Sequence, residues 1–138
     1  MIIDATNLIL GRLSSYAAKQ ALRGNEVVIV NSEKAVISGA KLNIHARYHR
    51  KVITLGGNPF HGPFRSKRED LFIKRTIRGM LPYKNAKGRD AFNRIRCYLG
   101  VPIEYNDKKL DTIKEANIAK TQSIKYVTVQ ALCKSLGR

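Results

Sequence analysis

The sequence predicts an α/β layered domain, and three observations point there. Strand-like and helix-like segments alternate over residues 1–55. The links between them are short. Val27-Val28-Ile29-Val30 is a continuous apolar run, as expected of a strand covered on both faces. The length of 138 residues fits one domain, 1–138, with chain enough for one hydrophobic core. The 43% apolar and 26% charged content argues against wholesale disorder, which needs low hydrophobicity as well as high charge.

Ile2-Ile3 opens a short strand. Gly11 to Arg23 reads as a helix, with Leu10, Leu13, Ala17 and Ala21 on one stripe and Gly24 placed to end it. Val27–Val30 is the next strand. Val36-Ile37 is another short apolar piece, and Ser38-Gly39 leads into a helix through about Lys51. Val52-Ile53-Thr54-Leu55 reads as a further strand. Gly56 to Pro63 is turn chemistry throughout and forms a loop. Ser66-Lys67-Arg68-Glu69 fits a capping box, with Ser66 as N-cap, for a helix to about Arg78 that stops at Gly79. A second short helix follows from Gly88 to about Ile95. Cys97-Tyr98-Leu99 reads as a strand ending at Gly100. Tyr126-Val127-Thr128 reads as a strand, and Val129 to Leu136 as a closing amphipathic helix with Gly137 as its stop.

The charge is concentrated in the middle of the chain. Residues 1–40 hold four Lys/Arg and three Asp/Glu, residues 41–100 fifteen and three, and residues 101–138 seven and four. The excess is therefore +1, +12 and +3. A single-sign field of this strength repels itself and normally has a polyanionic partner. On the helix after Ser66, Phe72, Ile73, Thr76, Ile77 and Met80 fall on one side. Arg68, Lys74, Arg75 and Arg78 fall on the other, with Leu71 among them. A merely solvated face would mix Glu with Lys. Here the acids, Glu69 and Asp70, occur only in the first turn, where the helix dipole favours them. Phosphate contact is the better reading, since the planar guanidinium fork grips phosphate oxygens in pairs. The loop Tyr83–Arg89 continues the pattern with Lys84, Lys87 and Arg89, and backbone N–H groups at a helix opening at Gly88 would add anion affinity. Arg94 and Arg96 extend the surface. Lys41, Arg47, Arg50 and Lys51 form a second basic cluster, and Arg65 and Lys67 complete the candidate phosphate-contacting set.

Enzymatic readings are weaker. His45 and His49 have metal-ligand spacing on a helix, but no Glu adjoins His45 and no third ligand is evident. The few acids are scattered and form no carboxylate pair for acid–base work. Gly11-Arg12-Leu13 lacks both G-x-G-x-x-G and G-x-x-x-x-G-K-[ST]. Cys97 and Cys133 are isolated and read as ordinary reduced cysteines in or near the core. No apolar run approaches a membrane span, and Met1-Ile2-Ile3-Asp4 lacks the basic segment of a signal peptide, so the expected location is cytosolic.

The stretch Ile77-Arg78-Gly79-Met80-Leu81-Pro82, then Gly88-Arg89, then Ile95-Arg96-Cys97-Tyr98-Leu99-Gly100, resembles the universal large-subunit ribosomal protein L-thirteen family. Asp4-Ala5 with Gly11-Arg12-Leu13, and Val27 to Lys41, are also similar to it. Only Gly24-Asn25-Glu26 joins the first helix to the second strand, and a long extra C-terminal segment is lacking, which resembles the archaeal branch. The resemblance implies a three-layer α/β/α fold around a small, mostly parallel sheet. It implies a structural component of the large ribosomal subunit that binds large-subunit rRNA beside neighbouring ribosomal proteins. It implies no catalytic activity, no cofactor, no small-molecule substrate and no membrane. Composition alone leaves two rivals open, an RNA-modifying enzyme and a DNA-binding architectural protein.

Overall fold

The computed structural model of the chain describes residues 1–53, 66–121 and 125–137. Its centre is a parallel sheet of three strands, β1 (Ile2–Asp4), β2 (Val27–Val30) and β4 (Ile95–Cys97), in the order β1-β2-β4. Ile3 pairs with Ile29, and Val27 with Ile95. Parallel neighbours need long crossovers. Helix α1 (Leu10–Leu22) makes the first, and α2 (Lys41–Ile53), α3 (Glu69–Gly79) and α4 (Ala86–Asn93) lie in the second. All four residues of β2 are buried, the physical origin of its unbroken apolar run. A two-stranded antiparallel pair, β3 (Val36–Ser38) with β5 (Tyr126–Thr128), sits alongside and leads into α5 (Val129–Ser135). Helices flank the sheet on both faces, giving α/β/α layers.

The segment before β5 closes the outer edge of β1. The Asp111 N–H donates to the Ile2 carbonyl at 2.8 Å, and the Asp4 N–H to the Asp111 carbonyl at 3.0 Å. An edge strand so occupied no longer offers a free ladder of backbone groups to another chain. At the end of β1, Asp4 Oδ1 accepts from the Thr6 N–H, the Thr6 hydroxyl and the Asn31 amide at 3.0, 2.7 and 2.9 Å. Burial alone would raise the Asp4 pKa. The hydrogen bonds from Asn31 and Thr6, with Lys34 nearby, outweigh it and hold the carboxyl below its ordinary value.

The main core joins Ile3, Leu13, Ala17, Ala21 and Ile29 to Ile73, Ile77 and Ile95. Leu10, Leu13, Ala17 and Ala21 are all buried, so the α1 stripe forms as its spacing demands, and Gly24 ends the helix at φ +97°. A smaller cluster gathers Ile44, Val127, Leu132 and Leu136. Phe72 packs against both clusters but is only half-buried, less than its place on the apolar side of α3 suggests.

The structure corrects several boundaries. Val52-Ile53 is not a strand but the last turn of α2; residues 54–65, including Thr54-Leu55, the Gly56–Pro63 loop and Arg65, lie outside the described residues. The reason is helical spacing: Ile44, Tyr48 and Val52 recur at four-residue intervals and meet the smaller cluster together. The capping box at Ser66 does not form. Arg68 holds the N-cap position, no side chain caps the helix, and Glu69 turns fully into the interior. Ser66 Oγ instead accepts from the Arg68 N–H at 3.4 Å. Helix α4 starts at Ala86 rather than Gly88, and Ile95 belongs to β4, not to the helix. Pairing with buried β2 draws the strand two residues earlier than the Cys97–Leu99 expectation. Gly88 is instead a contact residue inside α4: a Cβ there would lie 2.0 Å from the Pro82 carbonyl oxygen. Only glycine lets the turn and the helix approach so closely.

Candidate nucleic-acid interface

Helix α3 is the element that joins core to surface. Ile73 and Ile77 anchor it in the main core, and Glu69 and Asp70 are buried with them. Their burial changes the electrostatics of the middle region. Its three acids are Glu69, Asp70 and Asp90, and Asp90 alone of them is exposed. Asp70 is held by Arg68 through two bonds, 2.6 Å from Nη2 and 3.2 Å from Nε, which raises the Arg68 pKa further. Arg68 is thereby tied to its own helix. Met80, expected on the core side, is exposed, with its sulfur 3.5 Å from Ser15 Oγ. Leu71 is exposed, as its place on the charged side implies.

The next cations are positioned by rings. Lys74 Nζ lies over the Phe92 ring at 5.0 Å, linking α3 to α4. Arg78 Cζ lies over Tyr83 at 5.2 Å, linking α3 to the turn after it. Lys51 Nζ lies over Tyr48 at 5.4 Å on α2. A guanidinium stacked by its face still directs its N–H edge outward, so Arg78 is both held and presented. The turn beyond is closely packed: Leu81 is buried, the Asn85 N–H donates to the Pro82 carbonyl at 3.0 Å, and that carbonyl abuts Gly88. On this support Tyr83, Lys84, Lys87 and Arg89 are exposed. The first turn of α4 carries no acid and its N-cap residue Asn85 makes no side-chain cap, so the helix opening lies at Ala86, two residues before the Gly88 expected.

The remaining candidates divide. Lys41, Arg47 and Arg50 are exposed along α2, and Arg96 is exposed on β4. Arg94 turns toward α1, its Nη1 donating to the Ala21 carbonyl at 3.4 Å near the end of that helix. Lys67 donates to the Gly137 carbonyl at 3.4 Å, just past α5. These two cations lie at the C-terminal ends of α1 and α5, where the helix dipole favours positive charge; the Ala21 carbonyl also accepts the Gly24 N–H at 3.1 Å. Neither sequence spacing nor composition could show this, because the partners are 73 and 70 residues away.

Helices α2 and α3 meet at a cavity of about 280 Å³, completed by Leu136 just beyond α5. Tyr48, Val52, Phe72 and Leu136 give it apolar walls, while Lys51, Ser66, Arg75 and Thr76 add polar groups. The Tyr48 and Phe72 rings are 5.3 Å apart and tilted by 54°. Burial raises the Tyr48 pKa, with Arg47 opposing. This pocket brings the two basic clusters together, with Lys51 from one and Arg75 from the other. The sequence-based reading did not find it, because its walls are forty or more residues distant from Leu136.

Among the described residues, no group of three or more His, Cys, Asp or Glu side chains gathers as a metal site requires. His45 Nδ1 lies 2.8 Å from Ser135 Oγ, a packing contact between α2 and α5. Cys133 is buried and Cys97 half-buried against the core, and both are free of disulfides. Burial pushes the Cys97 thiol up to about 12, against a small opposing pull from Lys74, so no thiolate nucleophile arises at neutral pH. No described helix is long and apolar enough to cross a membrane.

Residues 1–104 match the family described as Ribosomal protein L13. The chain is 46% identical over 136 residues to the large ribosomal subunit protein uL13 of Methanococcoides burtonii, covering 99% of this chain and 96% of that one. It is 47% identical over 137 residues to the protein of the same description from Methanosarcina barkeri, with the same coverage. It is 41% identical over 137 residues to that of Haloarcula marismortui, covering 99% and 90%.

Proposed function

We propose a function from one premise: this chain belongs to the ribosomal protein L13 family, in its archaeal-type branch. The family is one of structural ribosomal proteins and not of enzymes. The chain accordingly has a general structural, rRNA-binding role in the large ribosomal subunit. We infer further that residues 1–138 act as one domain in the cytoplasm. The face built from α2, α3, the turn at Pro82 and α4 grips the rRNA, and gripping it supports subunit assembly beside neighbouring ribosomal proteins.

One observation carries this reading. Two of the three acids in the middle region are buried, so its exposed surface is more one-signed than its sequence. Lys41, Arg47, Arg50, Lys84, Lys87, Arg89 and Arg96 are exposed with Asp90 as the exposed acid in that stretch. Arg78 is exposed and braced by Tyr83. Such cations bind backbone phosphates, which set affinity and register rather than read bases. RNA shape then supplies much of the specificity. Arg68, Lys67 and Arg94 take lesser parts, since each is tied to a protein group. Arg65 remains in the proposed set from its place in the sequence.

The test is a titration of protein-free large-subunit rRNA across a salt series. With roughly six to ten phosphates neutralised, affinity falls about 10³–10⁵-fold between 50 and 200 mM salt. A nearly flat response overturns the electrostatic reading.

A further inference from the structure

We propose that the pocket between α2, α3 and Leu136 receives one unstacked base of the bound RNA, with the adjoining phosphate held by Lys51 and Arg75. The proposal rests on the RNA-binding reading above and assigns one specific contact within it.

Four observations converge. The cavity, at about 280 Å³, lies at or below the small end of ligand pockets, which run to roughly 300–1,000 Å³. That is room for a single planar ring system rather than a larger molecule. Its walls include two aromatic rings, Tyr48 and Phe72, set at 54° to one another. Two such faces form a corner that contacts a flat base on its face and on its edge. Hydroxyls of Ser66 and Thr76 border the same space; Thr76 donates to the Phe72 carbonyl at 3.0 Å and Ser66 accepts from the Arg68 N–H at 3.4 Å, which leaves an acceptor lone pair on the first and a donor on the second for base edges. The rim is cationic from two helices, Lys51 on α2 and Arg75 on α3, and among the described residues no carboxylate lines the cavity. An acyl chain would gain nothing from that rim, and an acidic side chain would gain nothing from the rings. A nucleotide uses both. Single-stranded bases splayed from loops and bulges are the elements that proteins bind on aromatic side chains.

The contact gives the protein something that phosphate grip lacks. Backbone contacts position the RNA without distinguishing paired from unpaired segments. A pocket that admits a base only when it has left its stack selects for a bulge or loop at one place.

The experiment fills the pocket without changing its charge. Thr76→Tyr places a ring in the cavity. Gly79→Leu adds an aliphatic side chain one turn further along the same wall, at a position where an added Cβ meets no heavy atom within 4 Å. Melting curves show which variants are folded. Protein-free large-subunit rRNA is then probed, with each folded variant bound, by reagents that modify base edges and by backbone cleavage. The expected result is one nucleotide whose base edge is protected by the unaltered protein and exposed with the filled variants, while the backbone footprint persists. Affinity falls about tenfold, as expected when one stacked base is lost. Tyr48→Phe keeps the ring and keeps the protection. An unchanged base pattern with an intact footprint overturns the pocket assignment and leaves the RNA-binding reading standing. Loss of any footprint with the unaltered protein overturns both. Micromolar binding of adenosine monophosphate to the RNA-free protein overturns the assignment to RNA and makes the pocket a free-nucleotide site.

Discussion

Residues 1–40 and residues 66–97 build the same sheet and core, yet they use charge in opposite ways. In the first stretch, charged groups are few and the acid Asp4 is satisfied by uncharged donors at the strand ends, Thr6 two residues on and Asn31 at the end of the neighbouring strand. In the second, cations are many and are braced by rings or carbonyls of other segments: Lys74 by Phe92 of α4, Arg78 by Tyr83 in the turn after its own helix, Arg94 by Ala21 of α1. The difference teaches that a one-signed surface can rest on a stable fold when its acids are withdrawn. Burying Glu69 and Asp70 leaves the exposed charge unbalanced and lets α3 dock through the same turn. On the proposed reading, folding and phosphate contact use different residues of one helix, Ile73 and Ile77 against Arg78, and the two stretches should break in different assays.

The largest expected effect is on binding alone. Arg78→Glu with Arg89→Glu reverses two exposed charges on α3 and α4. Placing carboxylates against phosphates costs several kcal/mol, so rRNA affinity falls about a hundredfold or more. The melting temperature stays nearly constant, because exposed charges contribute little to folding. Normal binding by the folded double variant, in a titration at fixed salt, would move the interface to the α2 cluster from Lys41 to Lys51.

The next effect is on folding, within the basic region itself. Gly88→Ala drives a methyl into the Pro82 carbonyl oxygen, at 2.0 Å before relaxation. The turn or α4 must shift, and overpacking of this kind costs about 1–3 kcal/mol. Denaturant unfolding measures it. Since Lys84, Lys87 and Arg89 ride on this junction, rRNA affinity also declines in the folded protein. A variant of unaltered stability would show that the turn is not locked to the helix.

How far the sequence disclosed this arrangement depends on where each residue's partner lies. Helix α1 and strand β2 were legible because burial on one stripe, or on both faces, writes itself directly into apolar spacing. The starts of α4 and β4 were not, since Val27 pairing with Ile95 and Pro82 meeting Gly88 are tertiary events. The acids of α3 looked like surface residues serving the helix dipole and proved to be interior. The candidate cations were found by type, but their division into presented groups and helix-end partners required the fold. The pocket of Tyr48, Phe72 and Leu136 was beyond reach for the same reason.

A pH series separates the two stretches from the other side. The folded Asp4 carboxyl titrates below its ordinary range, despite burial, because Asn31 and Thr6 bond its charged form. A depressed folded pKa contributes stability above the unfolded value of about 3.9, and that contribution is lost as pH falls through the folded pKa. Asp4→Asn is therefore less stable than the unaltered chain at neutral pH, and the gap narrows below about pH 4. Thermal melts at matched pH measure this. A gap independent of pH would mean that geometry, not charge, makes Asp4 useful.

The smallest effect distinguishes a cap that the sequence suggests from one that the fold uses. Ser66-x-x-Glu69 has the spacing of a capping box, yet α3 begins at Glu69 with no side-chain cap. Thr128, with no such signature, accepts the Ala131 N–H through Oγ1 at 3.3 Å and caps α5. Loss of a working cap costs about 0.5–2 kcal/mol. A surface hydroxyl without that duty changes stability by no more than about 0.5 kcal/mol. Thr128→Ala should therefore lower stability by about 1 kcal/mol, while Ser66→Ala leaves it within the smaller bound. Thr128→Ala also removes a methyl group, so Thr128→Ser, which keeps the hydroxyl and loses only that methyl, is measured beside it and should keep the cap. Denaturant titrations of the variants, run in parallel, read the difference. If Ser66→Ala proves the costlier, α3 in solution starts two residues earlier than the structure places it, Glu69 returns to its box, and the withdrawal of acid from the basic face is undone.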